Sequence, residues 1–317
     1  AGNNLSFATA ANATANVTLS IGINDGGNTG SGGAQTDSQT VTLQVTAVND
    51  APLITAPPSI AVSEDVSRAL TGISFADPDA GSNTVTATFS VPSGTLSATS
   101  SGAVTVGGTS SALTLSGSLA DLNAFIAAGQ LSFQTAANAT ASMALSISIN
   151  DGALTDSRNV TLNVTAVNDA PVNSLPAAQS VNQDASLVFS SGNGNLISIS
   201  DVDAGAGILR VTLNASNGRL SLAGTSGLTF STGTGSGDAS MTFEGTLIDI
   251  NNALNGLSFS PATGYSGAAA LTISTSDLGL SGSGGAKVDT DTIQITVNPI
   301  NDAPTTADDA YSVNEDG

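Results

Sequence analysis

The chain has 317 residues, with 25 acidic side chains against five basic ones for a net charge of −20, and it contains no cysteine, histidine or tryptophan. That balance excludes nucleic acid as a partner, since phosphate binding needs clustered Lys and Arg. It also excludes disulfides, thiolate-bound zinc and histidine acid–base chemistry. Hydrophobic residues make up 40%, enough for packed cores. No apolar run approaches the ~20 residues of a membrane-spanning helix, so no direct membrane insertion is expected, and residues 1–10 do not read as a signal peptide.

In chain order, the first segment opens midway through a pattern. The stretch 5-LSFATAANATANVTLSIGINDG-26 returns as 131-LSFQTAANATASMALSISINDG-152 at an offset of 126 residues. A more diverged copy is 257-LSFSPATGYSGAAALTISTSDLG-279. Each copy leads through a Gly-rich hairpin into an alternating strand, such as 156-DSRNVTLNVTAV-167, and then into Asn-Asp-Ala-Pro at 49–52, 168–171 and 301–304. Repetition of this period marks an array of similar domains. Residues 1–48 are expected to be the C-terminal part of one repeat, 49–167 and 168–300 two complete repeats, and 301–317 the start of a further one. The chain then reads as a piece of a longer array, with neighbouring repeats of the same chain as its first partners.

Within a repeat the pattern is β. Segments such as 143-MALSISIN-150 and 158-RNVTLNVTAV-167 alternate apolar with small polar residues, the period-2 pattern of half-buried strands. Val, Ile and Thr are frequent, and Gly, Asn and Asp bound the runs. About seven such strands in ~120 residues predict a two-sheet sandwich. One short helix interrupts each repeat, 118-SLADLNAFIAAG-129 and 246-TLIDINNALNG-256. Each opens on Ser or Thr with Asp three residues later, close to a capping box, and closes on Gly. Leu119, Leu122 and Ile126 should face the core, and Asp121 and Asp249 read as capping residues.

The acids keep phase with the repeat. In the first complete repeat, Asn49 and Asp50 stand at its start, Glu64 and Asp65 end the first strand, and Asp77 and Asp79 follow in 77-DPDAG-81. Asp151 lies in the late hairpin and Asp156 opens the last strand. The second complete repeat has Asn168, Asp169, Asp201, Asp203, Asp277 and Asp289, with Asn301 and Asp302 leaving it, and Gln183 and Asp184 replacing the Glu-Asp pair. Strand lengths of 12–13 residues, ~40 Å at ~3.3 Å each, put most of these acids at one end of a repeat and Glu64 and Asp65 at the other. Where one repeat follows the next, Glu64, Asp65, Asn168, Asp169, Asp201, Asp203, Asp277 and Asp289 are expected to converge. Five basic residues, Arg68, Arg158, Arg210, Arg219 and Lys287, are too few to pair them. Oxygen donors without nitrogen or sulfur select hard divalent cations, and a carboxylate-rich shell favours Ca²⁺ over Mg²⁺.

These motifs resemble the calcium ligands of cadherin repeats, and the whole chain is similar to the cadherin-like and Ig-like tandem repeats of giant bacterial surface adhesins, many exported by type I secretion. The terminal 307-ADDAYSVNEDG-317 resembles the opening of another such repeat. The resemblance implies an all-β fold of tandem cadherin-like β-sandwich repeats, each with one short helix, joined by calcium-binding linkers. It further implies an extracellular or cell-surface extender stiffened by Ca²⁺, serving cell adhesion or biofilm formation. The chain departs from the cadherin pattern at Gln183 and in having no counterpart of the Asp-Arg-Glu motif. Other functions compatible with the residues are a carbohydrate- or protein-binding module, and a filament-forming protein that contacts other copies of itself. Sugar sites favour aromatic platforms, which at 3% aromatic content are scarce here. A carboxylate-pair glycosidase would need one acid pair, whereas these acids recur in every repeat, so no enzyme is expected.

Overall fold

The computed structural model describes residues 4–28, 30–279 and 282–301, together with Ala303, Ser312 and Glu315. Asp302 and most of 307–317 lie outside the described residues. The chain divides into two compact units, residues 1–164 and 165–317.

In the first unit, Val85–Ser90 shows how the pattern becomes a core. Val85, Ala87 and Phe89 are buried while the alternate Thr86, Thr88 and Ser90 face outward. Met143–Asn150 does the same with Leu145, Ile147 and Ile149. These strands lie in a six-stranded sheet ordered Ser59–Ser63, Thr155–Thr165, Met143–Asn150, Val85–Ser90, Ala112–Gly117, Thr105–Thr109. Facing it is a three-stranded sheet of Arg68–Ala69, Ser132–Gln134 and Thr95–Ser97, and Leu53–Thr55 pairs with Ser74–Ala76 in a short ribbon. The second unit repeats the plan. Its six-stranded sheet runs Gln179–Asn182, Val288–Asn298, Gly267–Ser276, Ile208–Ser216, Ser240–Thr246, Thr229–Thr232. Its three-stranded sheet comprises Leu187–Phe189, Leu257–Pro261 and Gly218–Ser221, with Val172–Ser174 and Ser198–Ser200 as the ribbon. Both units are therefore all-β sandwiches.

The strands are more numerous and shorter than the seven or so expected from the pattern. Turns and bends split them, and some of those bends need glycine. Gly94 has φ +83°, and a Cβ there would sit 2.5 Å from the Gln134 carbonyl oxygen and 2.7 Å from the Phe133 ring. Its counterpart Gly218 lies against the Phe259 ring in the same way. In both units a backbone thus passes directly over a core phenylalanine.

The helices form where expected, Leu119–Ala127 and Leu247–Leu254. Ser118 and Thr246 cap them by accepting from the N–H groups of Asp121 and Asp249, and both hydroxyls donate back to those carboxylates. Leu122, Phe125 and Ile126 point into the first core, and Ile250, Ala253 and Leu254 are buried in the second unit. No helix among the described residues is long and apolar enough to cross a membrane.

Ahead of the first sandwich stands a hairpin, Val17–Asn24 paired with Thr36–Leu43 from Val17↔Leu43 to Asn24↔Thr36. It forms a two-stranded sheet of its own. The identical triplet Leu-Ser-Phe therefore has two fates. Phe133 is completely buried, whereas Phe7 is 55% exposed. Phe133→Ala is expected to cost about 3–5 kcal/mol, whereas Phe7→Ala should stay within about 0.5 kcal/mol. Urea unfolding of the two variants checks this, and equal losses would contradict the burial contrast.

Candidate metal centre

The two sandwiches build the same carboxylate arrangement at one end, from the linker, the Asp-x-Asp loop and the late hairpin. In the first, the Asn49 side-chain amide donates to Asp151 Oδ2 at 2.8 Å and to the Asp50 carbonyl at 3.1 Å. The Asp50 N–H donates to Asp79 Oδ2 at 2.6 Å. Asp77 Oδ1 closes its own loop by accepting from the N–H groups of Asp79 and Ala80. Asp156 Oδ2 accepts from the N–H of Ile54, just after the linker. Asn49, Asp50, Asp77, Asp79, Asp151 and Asp156 are thereby linked at one end of the sandwich.

The second sandwich repeats the main bonds, although its linker Asn168 amide also donates to the Gly285 carbonyl rather than to the next residue. Asn168 donates to Asp277 Oδ2 at 2.6 Å, and the Asp169 N–H donates to Asp203 Oδ2 at 2.6 Å. Asp201 Oδ1 accepts from Asp203 and Ala204, and Asp289 Oδ2 accepts from the N–H of Asn173. Local sequence explains the loop in both cases. Asp followed two residues later by Asp lets the first carboxylate cap its own turn, which leaves the second free to receive the linker.

Each carboxylate has two oxygens, and not all are satisfied. Asp77 Oδ2, Asp169 Oδ2 and Asp201 Oδ2 are buried without a hydrogen-bond partner. A buried acceptor without a donor is unfavourable, and a bound cation would supply what is missing. Burial pushes the Asp201 carboxyl above the ordinary range; the N–H groups of Asp203 and Ala204 oppose this, and the charges of Asp203 and Asp277 add to it. At Asp277 burial also pushes upward, but the Lys287 N–H, the Asn168 amide, the Gly279 N–H and the Lys287 charge together hold it low. Asp151 is held low by the Leu154 N–H, the Asn49 amide and the Ala153 N–H. Lys287 is thus a basic group that acts on this cluster. The donors are all oxygens, which fits a hard divalent cation such as Ca²⁺. Among the described residues, however, no three acids are gathered into a ready-made metal group. Backbone N–H groups instead satisfy one oxygen each of Asp77, Asp79, Asp201 and Asp203.

Glu64 and Asp65 lie elsewhere. Glu64 is fully buried just after Ser59–Ser63. Asp65 adopts φ 57°, and its N–H donates to Thr135 Oγ1 while its Oδ1 accepts from the Asn138 N–H. In the second sandwich the Gln183 N–H donates to the Asn298 carbonyl, at the far end of the strand that Asp289 opens. Asp184 has φ 60° and accepts from Gly264. The Glu-Asp pair and its Gln-Asp counterpart therefore stand at the opposite end of their own sandwiches from the other acids. Asn301 is exposed beyond the last strand.

Two further aspartates share this design, Asp25 and Asp37 of the N-terminal hairpin. Asp25 Oδ1 accepts from the N–H groups of Gly27 and Gln35, as Asp277 Oδ1 does from Gly279 and Lys287. Asp37 sits across from Ile23 as Asp156 does from Ile149 and Asp289 from Thr275. The 126-residue offset that relates Asp25 to Asp151 is the signal that would have found it.

No protein-family model matches the chain, and no curated protein does. Among solved structures, human protocadherin-24 EC1-2 is similar over 78% of this chain and 99% of its own, at 15% identity and TM-score 0.34. Drosophila N-cadherin EC1-4 is similar over 91% of this chain and 58% of its own, at 17% identity and TM-score 0.29. An endo-fucoidan hydrolase of glycoside hydrolase family 107 gives 16% identity and TM-score 0.25, and there the chain spans only 34% of the enzyme's length. Superpositions of that quality carry no weight for this chain, whose sandwich fold rests on its own sheets.

Asp201→Asn keeps the acceptor for both loop N–H groups and removes a buried charge. In EGTA it should melt at or above the unsubstituted chain. Because the folded pKa of Asp201 is raised, the folded state holds that proton more tightly than the unfolded chain, so its unfavourable contribution at neutral pH is relieved as pH falls through the raised pKa. Asp277 has the opposite sign: its depressed pKa favours folding above the ordinary carboxylate range and is lost as pH falls below it. The melting difference between parent and variant, followed against pH, should shrink toward acid. A difference independent of pH would rule this assignment out.

Proposed function

We propose that this chain is an extender segment of a bacterial cell-surface or secreted adhesin, stiffened by Ca²⁺ and serving cell adhesion or biofilm formation. The observation that supports this best is the recurrence, in both sandwiches, of one oxygen-only group with buried carboxylate oxygens that lack donors. A single catalytic or sugar site has no reason to recur in step with the repeat, whereas ions that brace each linker do. Asn49, Asp50, Asp77, Asp79, Asp151 and Asp156 would hold ions in one repeat, and Asn168, Asp169, Asp201, Asp203, Asp277 and Asp289 in the next. Glu64 and Asp65, with Asn301 and Asp302, would contribute where repeats follow one another.

Extracellular calcium modules bind at ~10⁻⁴–10⁻³ M, so millimolar external calcium would fill such sites and submicromolar cytosolic calcium would not. Freedom from cysteine suits the same route. A chain exported unfolded through a type I channel benefits from unneutralised carboxylates inside the cell, which repel by on the order of 1 kcal/mol per close pair against a net stability of ~5–15 kcal/mol.

Thermal melts in EGTA and in millimolar Ca²⁺ test the reading. One site filled at 100 times Kd adds ~2.7 kcal/mol, enough to raise the melting temperature by several degrees. Mg²⁺ should substitute poorly. Small-angle scattering should show a narrower spread of shapes with Ca²⁺, and coincident melts and scattering would sink the proposal.

A further inference from the structure

The octapeptide Val-Thr-Ala-Val-Asn-Asp-Ala-Pro leads into both sandwiches, at 45–52 and at 164–171, but the second sandwich holds it differently. Hairpin length sets the contrast, since the octapeptides are identical. Residues 152–155 separate Asp151 from Asp156, whereas the longer segment 278–288 separates Asp277 from Asp289. That longer hairpin folds back on the incoming linker. Its neck closes where the Asp277 N–H donates to the Lys287 carbonyl, and the Gly279 and Lys287 N–H groups donate to Asp277 Oδ1. Beyond the neck, the Ser283 N–H donates to the Ala166 carbonyl at 2.9 Å, and the Asn168 N–H donates to the Ser283 carbonyl at 2.8 Å. The two bonds make a parallel bridge between Val167 and Ser283.

Two further features fit the hairpin to the linker. Asn168 is completely buried, and its side-chain amide reaches both Asp277 Oδ2 and the Gly285 carbonyl. Without that carbonyl a buried donor would lose its acceptor, which is costly. Gly282 permits the close approach: it has φ +69°, and a Cβ there would stand 2.5 Å from the Asn168 nitrogen and 2.6 Å from the Val167 carbonyl carbon. The short hairpin of the first sandwich has no such segment, and there the Asn49 amide turns to the Asp50 carbonyl. We propose that residues 282–285 are a strap that fastens the linker to the second sandwich without an ion. Order at 166–168 then persists when calcium is withdrawn, whereas the linker at 47–49, which meets no strap among the described residues, depends on the cation. The strap itself does not rest on the calcium reading; only the contrast with 47–49 does. Gly-Ser-Gly-Gly-Ala stands at both 30–34 and 282–286, so hairpin type is a variable that the repeats carry in their sequence.

Amide exchange of the whole chain in EGTA tests this. The Asn168 and Ser283 amides should exchange at least about tenfold more slowly than those of residues 47–49. Gly282→Asn and Gly285→Asn form a matched pair. Their φ values are +69° and +72°, a conformation that asparagine tolerates. Only at 282 would the new Cβ meet the linker; at 285 it finds open space. Gly282→Asn should therefore speed exchange at Asn168 and Ser283 by about tenfold or more while residues 271–275 stay protected, and Gly285→Asn should remain within about threefold of the parent. Replacing residues 278–288 by Gly-Ala-Leu-Thr, the turn of the first sandwich, removes the strap by a second route and should give the same local loss. Equal exchange at the two linkers of the parent, or unchanged exchange at Asn168 in both strap variants, would overturn the proposal. Melts that ignore calcium would refute the calcium reading and leave the protection at Asn168 as it is, so the two can fail separately.

Discussion

The bond from the linker N–H to the second aspartate of the Asp-x-Asp loop, 2.6 Å at both Asp50–Asp79 and Asp169–Asp203, fixes where the chain enters each sandwich. It places Asn49 and Asn168 against the late hairpin, and it sets Ile54 and Asn173 opposite Asp156 and Asp289. Asp77 and Asp201 each close their loop with one oxygen and leave the other toward the cluster. Asp77 Oδ2 and Asp201 Oδ2, together with Asp169 Oδ2, are buried with no donor. The same aspartates that make the turns make the site, so a substitution that spares the turn must keep an acceptor oxygen at that position.

The rest of the molecule is built from weak, numerous contributions. With no cysteine and a single Arg210–Glu244 ion pair among the described residues, stability rests on apolar burial inside each sandwich. Sparse charge on the strands leaves their outer faces to hydroxyl pairs such as Thr86–Ser116, Thr212–Thr242 and Thr272–Thr292. Such neutral bonds are modest individually, and they keep the sheet surface polar without bringing like charges together.

The two sandwiches also show how one position can change chemistry without changing fold. Where the first packs Ile54 and Ile149, the second buries Asn173 and Thr275, and the Thr275 hydroxyl donates to Asn173 Oδ1 at 2.6 Å. Exchanging both members of a buried pair avoids the unsatisfied group that a single exchange would leave. The N–H at the first position meets the same aspartate in both, since that bond belongs to the backbone.

Much of this was legible in the residues. The alternation in Met143–Asn150, the Ser118 and Thr246 caps and the phased aspartates each depend on local spacing, which sequence records directly. The counterpart Asp25 was equally present at the 126-residue offset, and Asp37 at 119 residues from Asp156 once the longer first hairpin is allowed for. What sequence could not decide depends on which segments meet. Leu-Ser-Phe at 5–7 forms no strand, while at 131–133 its Ser and Phe open the strand Ser132–Gln134, because there Arg68–Ala69 and Thr95–Ser97 lie on either side to accept its backbone bonds. Likewise, spacing alone could bring the aspartates to one end but could not show which of their oxygens backbone N–H groups would satisfy. Period, caps and turns were determined by the sequence itself. Burial, and the partner each carboxylate oxygen finds, were decided only by tertiary structure, because both are properties of residues that are distant along the chain.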